Sequence, residues 1–190
     1  MADTNLLEPN LIETAERLYS LEQVRDAIAV QAGELNHAYR GPRSEPVVAL
    51  TLLNGGLVYA GMLIPMLDFE LVIDSVRVSR YRDKTHGGEL NWHVEPGTSL
   101  VNRQVLLLDD IYDQGVTLQL VREWCEQRGA SRVQNAVLAW KQPQPGVGMN
   151  GTAPDSHALT VPDKFVVGMG MDFAERYRNA PGIFAINGNH

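Results

Sequence analysis

The sequence predicts an α/β fold, with a mostly parallel central sheet flanked by helices. Three observations carry that expectation. Apolar runs of strand length recur along the chain, as in PVVALTLL (46–53), VLLLDD (105–110) and RVQNAVLAW (132–140). Segments of helical period stand between them. The runs are apolar throughout rather than alternating with polar residues, which marks strands covered on both faces. In such sheets ligands gather beyond the carboxyl ends of the strands.

Taken in order, residues 9–19 read as a short helix. Ser20 then opens a longer one, with Gln23 at capping-box spacing. Leu21, Val24, Ile28, Ala32, Leu35 and Tyr39 fall on one face of it, and Gly41-Pro42 ends it. Residues 46–53 form a buried strand, Asn54-Gly55-Gly56 a turn, and 57–67 a helix disturbed near its end by Pro65. FELVIDSVRVSRY (69–81) is a strand by its β-branched residues. Residues 82–103 hold no period and read as a lid or binding loop. After the strand VLLLDD come a helix over 117–129, a strand over 132–140 and a loop over 141–156. A strand over 164–170, a helical turn or two over 172–179 and a last strand over 182–187 complete the chain.

A chain of 190 residues suffices for one ordinary domain. Sixteen basic against 23 acidic residues give a net charge of −7, which argues against nucleic-acid binding, since phosphate backbones require a basic face. A small anionic ligand remains open to backbone N–H groups and a metal ion. The single cysteine, Cys125, permits no internal disulfide, reads as a packed apolar residue, and fits a cytoplasmic protein. No apolar run has transmembrane length, and the N-terminus lacks the pattern of a signal peptide. Asn150-Gly151-Thr152 matches a glycosylation sequon but reads as loop chemistry, and His86 and His93 have no zinc spacing.

The chemistry concentrates in VLLLDDIYDQGVTL (105–118), where an apolar strand runs into Asp109, Asp110 and Asp113. Ionised carboxylates are costly to bury without partners. They sit in water, hold a metal, or face hydroxyl donors. The bland alternative is a solvated acidic loop. Asp113-Gln114-Gly115-Val116-Thr117 then turns into a helix, and successive N–H groups at a glycine-containing loop and helix N-terminus cradle a phosphate. One stretch therefore offers acceptors for sugar hydroxyls and, beside them, donors for a phosphate. The Walker spacing is absent.

VLLLDDIYDQGVT resembles the phosphoribosyl-diphosphate motif of the type I phosphoribosyltransferases, and VPDKFVVGMGMDFAERYRN (161–179) resembles the purine-binding segment of the hypoxanthine-guanine enzymes. Lys141 lies between the two in the expected order. The resemblance implies one phosphoribosyltransferase domain over 1–190, with an N-terminal helical segment (1–45), a mobile active-site loop (79–103), and a small hood built from the terminal segments, the purine-binding part being 160–190. It implies transfer of phosphoribosyl from its diphosphate to a 6-oxopurine, with magnesium, in a homodimer or homotetramer. Asp109 and Asp110 would hold the ribose hydroxyls and magnesium, Asp113 would be the general base near purine N7, and Gln114, Gly115, Val116 and Thr117 would bind the 5′-phosphate. Lys141 would donate to the exocyclic oxygen, Phe165 would stack on the purine, and Val166 would offer backbone groups to the base edge. Asp172 would reach a second magnesium, and Arg178 would contact pyrophosphate. Asn54 and Gly55 match the pyrophosphate loop, although many relatives carry lysine at Asn54 and threonine or serine at Gln114. Arg80 and Tyr81 stand near the family's serine-tyrosine pair in the loop. Read from the residues alone, Lys141 is equally an exposed lysine, Phe165 equally strand core, and Arg178 equally a solvated helix arginine.

Two rival readings differ in class. A regulatory relative would bind nucleotide without turnover; Asp113, Lys141 and Asp172 together favour catalysis instead. A phosphoacceptor receiver domain needs its acidic pair near the first strand, whereas here all three acids share one stretch.

Overall fold

The computed structural model describes residues 11–80, 90–142 and 153–186. In chain order its elements are α1 (Leu11–Thr14), β1 (Glu16–Ser20), α2 (Leu21–Ala38), β2 (Val47–Leu52) and α3 (Gly56–Leu63), which runs into a 3₁₀ turn (Ile64–Met66). Then follow β3 (Leu71–Arg80), β4 (Leu90–Val94), β5 (Gln104–Tyr112), α4 (Val116–Gln127), β6 (Arg132–Lys141), β7 (Ser156–Val161), β8 (Phe165–Val167) and β9 (Gly182–Ile186).

Six strands form the main sheet in the order β4-β3-β2-β5-β6-β7. Every neighbouring pair is parallel except β3 with β4. Strand side chains alternate between faces. Val47, Ala49, Leu106 and Leu108 enter a core with Val24 and Ile28 of α2 and Tyr59 and Leu63 of α3. Val48, Leu50, Val105 and Leu107 enter a second core with Leu118, Val121 and Cys125 of α4. The central strands are apolar on both faces because helices cover both, and each fully buried leucine stabilises by about 1.5–3 kcal/mol relative to an exposed one.

The parallel register decides where chemistry can occur. Thr51 pairs with Leu108, Tyr112 with Trp140, and Lys141 with Val161. The C-terminal ends of β2, β5, β6 and β7 therefore lie along one edge, and the segments after them meet there. A smaller antiparallel sheet, β1-β9-β8, joins the N-terminal and C-terminal segments. It is fastened to the main sheet where the Tyr19 hydroxyl donates to the Thr160 carbonyl at 2.7 Å.

The capping box at Ser20 forms as expected, and Val24, Ile28, Ala32, Leu35 and Tyr39 are buried. Several expectations are corrected. Residues 9–19 are not one helix, because Glu16–Ser20 are drawn into strand pairing with β9 from the far end of the chain. Within 82–103, Leu90–Val94 form a strand on the edge of β3, whose Trp92 stacks on Trp124 of α4 at 4.4 Å. β7 begins at Ser156, the last residue of the expected loop, continues through residues given no element by the sequence, and is held by β6. The strand of 164–170 stops at Val167, since Gly168 and Gly170 take φ of +98° and +109°. Residues 172–179 form no helix: Phe173 and Arg176 bridge, and Ala174, Glu175 and Tyr177 have positive φ. β5 continues through Asp110 to Tyr112, so the first two acids belong to the strand.

A buried polar relay ties the helices to the sheet. The Tyr59 hydroxyl donates to Gln31 Oε1 at 2.7 Å, and Gln31 Nε2 donates to Ser156 Oγ at 2.9 Å and to the Val137 carbonyl at 3.3 Å. Gln31→Leu strands the Tyr59 hydroxyl in the core, which should cost ~2–3 kcal/mol, or roughly 5–10 °C in Tm. Adding Tyr59→Phe should recover part of that loss in thermal unfolding. An unchanged Tm for the single variant would mean that the relay contributes no stability.

Candidate active site

Two adjoining cavities open at the common strand edge. The first, of about 200 Å³, is lined by Asp109 to Ile111 and by Asp113 to Leu118. The second, of about 380 Å³, shares Asp109, Asp110, Ile111 and Asp113 and adds Leu53 to Gly55, Lys141, Phe165, Val166, Met171, Asp172 and Arg178. The expected residues thus assemble into two adjacent compartments with the acidic strand end between them. Of those expected in the loop, Arg80 is the last residue of β3 and Tyr81 lies outside the described residues, as do His86 and the sequon at 150–152.

The first compartment is built by the turn into α4. Gly115 adopts φ +71°, and a Cβ there would lie 2.1 Å from the Tyr112 ring, so only glycine fits the corner. No side chain caps the helix, and the Gln119 N–H donates back to the Gly115 carbonyl at 2.9 Å. The preceding N–H groups of the first turn lack intrahelical acceptors and suit an anion.

The second compartment depends on close backbone contacts. A Cβ on Gly55 would fall 2.2 Å from Asp110 Oδ2, and one on Gly170 would fall 2.1 Å from the Gly55 carbonyl oxygen. The Leu53–Asn54 peptide ahead of this contact is cis. Successive strand residues point to opposite faces, so Asp110 turns toward Gly55 while Asp109 turns toward the α4 side. The Asp110 N–H donates to Asp109 Oδ1 at 2.9 Å. Burial pushes the Asp110 carboxyl above the ordinary range. Burial, and then the neighbouring Asp110 charge, push Asp109 well above it.

The cations of the site are already paired. Lys141 Nζ lies 3.5 Å from Asp113 and 3.6 Å from Asp163. Arg178 donates from Nη1 to the Gly170 carbonyl at 2.7 Å and from Nη2 to Asp172 at 2.8 Å, with Glu175 at 3.6 Å. Asp172 also accepts the Glu175 N–H at 2.8 Å. Arg178 is thus a strap on the C-terminal segment and not a solvated helix residue. Phe165 is 41 % exposed beside the second cavity and meets Phe173 edge-on at 5.5 Å. Among the described residues no three His, Cys, Asp or Glu side chains converge into a ready-made metal cage. Magnesium commonly takes one or two carboxylates together with substrate phosphates and water, and the two adjacent aspartates fit that pattern.

Sequence reasoning missed Asp163, although it stands inside the quoted VPDKF run. It also missed Gly170 and Met171, whose placement follows from a backbone contact across the fold. Cys125 is buried and its thiol is pushed up to about 12 by burial, in keeping with a packing role. No helix among the described residues is long and apolar enough to cross a membrane.

Comparison with known proteins extends these observations. Residues 14–174 match the family described as phosphoribosyl transferase domain. The chain is 33 % identical over 180 residues to the hypoxanthine-guanine phosphoribosyltransferase of Lactococcus lactis, covering 94 % of each chain. It is 33 % identical over 167 residues to the enzyme of that name in Bacillus subtilis, covering 87 % of this chain and 89 % of the relative. The crystal structure of a hypoxanthine phosphoribosyltransferase from Staphylococcus aureus superposes with a TM-score of 0.80 at 30 % identity, covering 90 % of each chain. The match begins ahead of β1 and runs past Asp172, taking in the whole six-stranded sheet and every residue of both cavities except Arg178, and so the chain belongs to the phosphoribosyl transferase family.

Proposed function

We propose that this chain transfers the phosphoribosyl group of 5-phosphoribosyl 1-diphosphate to hypoxanthine or guanine, forming IMP or GMP and releasing pyrophosphate. The observation that carries this reading is the pair of cavities joined at Asp109–Asp113. A helix N-terminus suited to a phosphate lies on one side of those acids, and Lys141 with Phe165 lies on the other. A phosphoribosyl donor and a purine, placed side by side, would meet at the acids.

In this reading the 5′-phosphate lies against Gln114 to Thr117, and the ribose hydroxyls donate to Asp109 and Asp110. Purine N9 bonds to the anomeric carbon as its bond to the diphosphate oxygen breaks. The purine N7 proton passes to the Asp113 carboxylate. Developing positive charge on the sugar is favoured by the nearby acids. Lys141, with three donors and no acceptor, meets the 6-oxo group, while Phe165 covers the purine face and Val166 presents backbone groups to the base edge. Asn54, Gly55 and Arg178 receive the diphosphate end. Magnesium, when bound, offsets the charge of the diphosphate; Asp109, Asp110 and Asp172 are the oxygen donors that would hold it. The net charge of −7 argues against broad nucleic-acid binding. We place the protein in the cytoplasm as a homodimer or homotetramer, following its family. No observation favours the regulatory alternative.

The direct test is nucleotide formation from phosphoribosyl diphosphate and magnesium with hypoxanthine, guanine, xanthine, adenine or orotate. Turnover with hypoxanthine or guanine and little with adenine is expected, and Lys141→Met should raise the adenine-to-hypoxanthine ratio of kcat/KM by about tenfold or more. An unchanged ratio would remove Lys141 from base recognition.

Asp113→Asn should lower kcat by roughly 10²–10⁴-fold, the span of general base catalysis. Affinity for phosphoribosyl diphosphate, measured by calorimetry, should stay near that of the parent. Equal losses in turnover and binding would count against Asp113 as the base.

Asp110 generates a pH prediction. Its carboxyl is raised above 3.8 by burial, so the folded chain keeps this proton to higher pH than the unfolded chain. The stability it contributes is complete below the ordinary carboxylate range and is lost as pH rises through the raised value. At neutral pH, without added magnesium or substrate, Asp110→Asn should melt a few degrees above the parent, on the order of 1 kcal/mol. That difference should vanish at low pH. A variant that melts lower at neutral pH would show that the ionised acid is well compensated.

A further inference from the structure

Lys141 ends β6, and the register sets it beside Val161, the last residue of β7. The Gln142 N–H donates to the Val161 carbonyl at 3.2 Å, and Lys164 N–H closes a turn onto the Pro162 carbonyl at 2.7 Å. Asp163 sits in that turn, two residues before Phe165, so the chain that presents the exposed aromatic also delivers a second carboxylate to the lysine. The lysine side chain is 16 % exposed, against 58 % for Asp113 and 54 % for Asp163. A mostly covered ammonium thus lies within ion-pair reach of two mostly wet carboxylates, at 3.5 and 3.6 Å.

We infer that Asp163 is a positioning residue for base selection: together with Asp113 it holds the Lys141 ammonium within reach of the purine C6 substituent. The inference rests on the function proposed above and assigns that site a further residue. The physical reason is geometric. An ammonium has three N–H bonds in tetrahedral array. At 3.5 and 3.6 Å the two carboxylates attract the ammonium as ion pairs, and two such partners confine it where a single one would leave it free to swing aside. A fixed donor rewards a 6-oxo group and opposes the hydrogens of a 6-amino group. The two acids also differ in what happens to them during turnover. Asp113 takes the purine proton and becomes neutral, while Asp163 takes no part in that transfer. Lys141 therefore keeps one ionic partner when the other is discharged. The ion-pair distances exceed those of a tight charge-assisted bond, which leaves room for the ammonium to draw toward a bound oxygen.

Asp163 is more than half exposed, so removing its charge should leave the fold intact. In steady-state assays of the full-length chain, Asp163→Ala should raise KM for hypoxanthine about tenfold, with kcat within about threefold and KM for phosphoribosyl diphosphate unmoved. Its adenine-to-hypoxanthine ratio of kcat/KM should rise by a similar factor. Asp163→Asn, which keeps an acceptor oxygen in nearly the same volume, should recover part of both losses. It also serves as the test should the alanine variant fail to fold. Hypoxanthine KM and adenine discrimination within twofold of the parent in a folded variant would overturn the role of Asp163 while leaving the proposed reaction standing. A parent protein that makes no nucleotide from any purine would overturn both.

Discussion

The contact of the Asp110 carboxylate with the backbone of Gly55, and of the Gly55 carbonyl with Gly170, holds the site together. At both places a single methyl group would collide at little over 2 Å. Three distant segments meet there: the end of β5, the turn into α3, and the chain after β8. None of them has a local reason to be near the others. They meet because β2 and β5 are parallel neighbours, which brings their C-terminal ends to one edge, and because the small sheet carries the last segment back over that edge. Arg178 then straps the last segment, gripping the Gly170 carbonyl and Asp172.

The electrostatics follow from the same convergence. Five carboxylates and two cations crowd around the second cavity, counting Asp163 with the lining acids Asp109, Asp110, Asp113 and Asp172 against Lys141 and Arg178. Lys141 is occupied by Asp113 after β5 and Asp163 after β7, and Arg178 by Asp172 and Glu175 of the C-terminal segment. Asp109 and Asp110, at the deepest point, are instead raised toward protonation by burial. The strain left on the strand acids is the kind that a cation, or the hydroxyls of a sugar, would relieve. The geometry that costs stability at Asp110 is the geometry that makes the acid pair useful.

Much of this was legible in the sequence because it is local. The apolar runs at β2, β5 and β6 admit one reading, the capping box at Ser20 is written in adjacent residues, and DDIYDQGVT carries its acids, its glycine corner and its helix start within nine positions. Both cavities are lined by residues those motifs named. The misreadings share one cause. Residues 16–19 read as the end of a short helix because their partner, β9, lies more than 160 positions away. Residues 172–179 were taken for helix because positive φ at Ala174, Glu175 and Tyr177 leaves no periodic trace. Asp163 has no role legible in the sequence because its partner Lys141 is 22 residues upstream and meets it only through the pairing of β6 with β7.

The sequence by itself determined strands β2, β3, β5 and β6, the buried face of α2, the glycine corner at Gly115 and the run of acids that ends β5, since each depends on the intrinsic preferences of neighbouring residues. Only the tertiary structure decided which acids face which glycines, that the cations of the site are shared out among Asp113, Asp163 and Asp172, and that two separate cavities meet at one strand end. Those are consequences of parallel register and of long-range strand pairing, and contact energies between residues far apart in the chain leave no pattern in either partner alone.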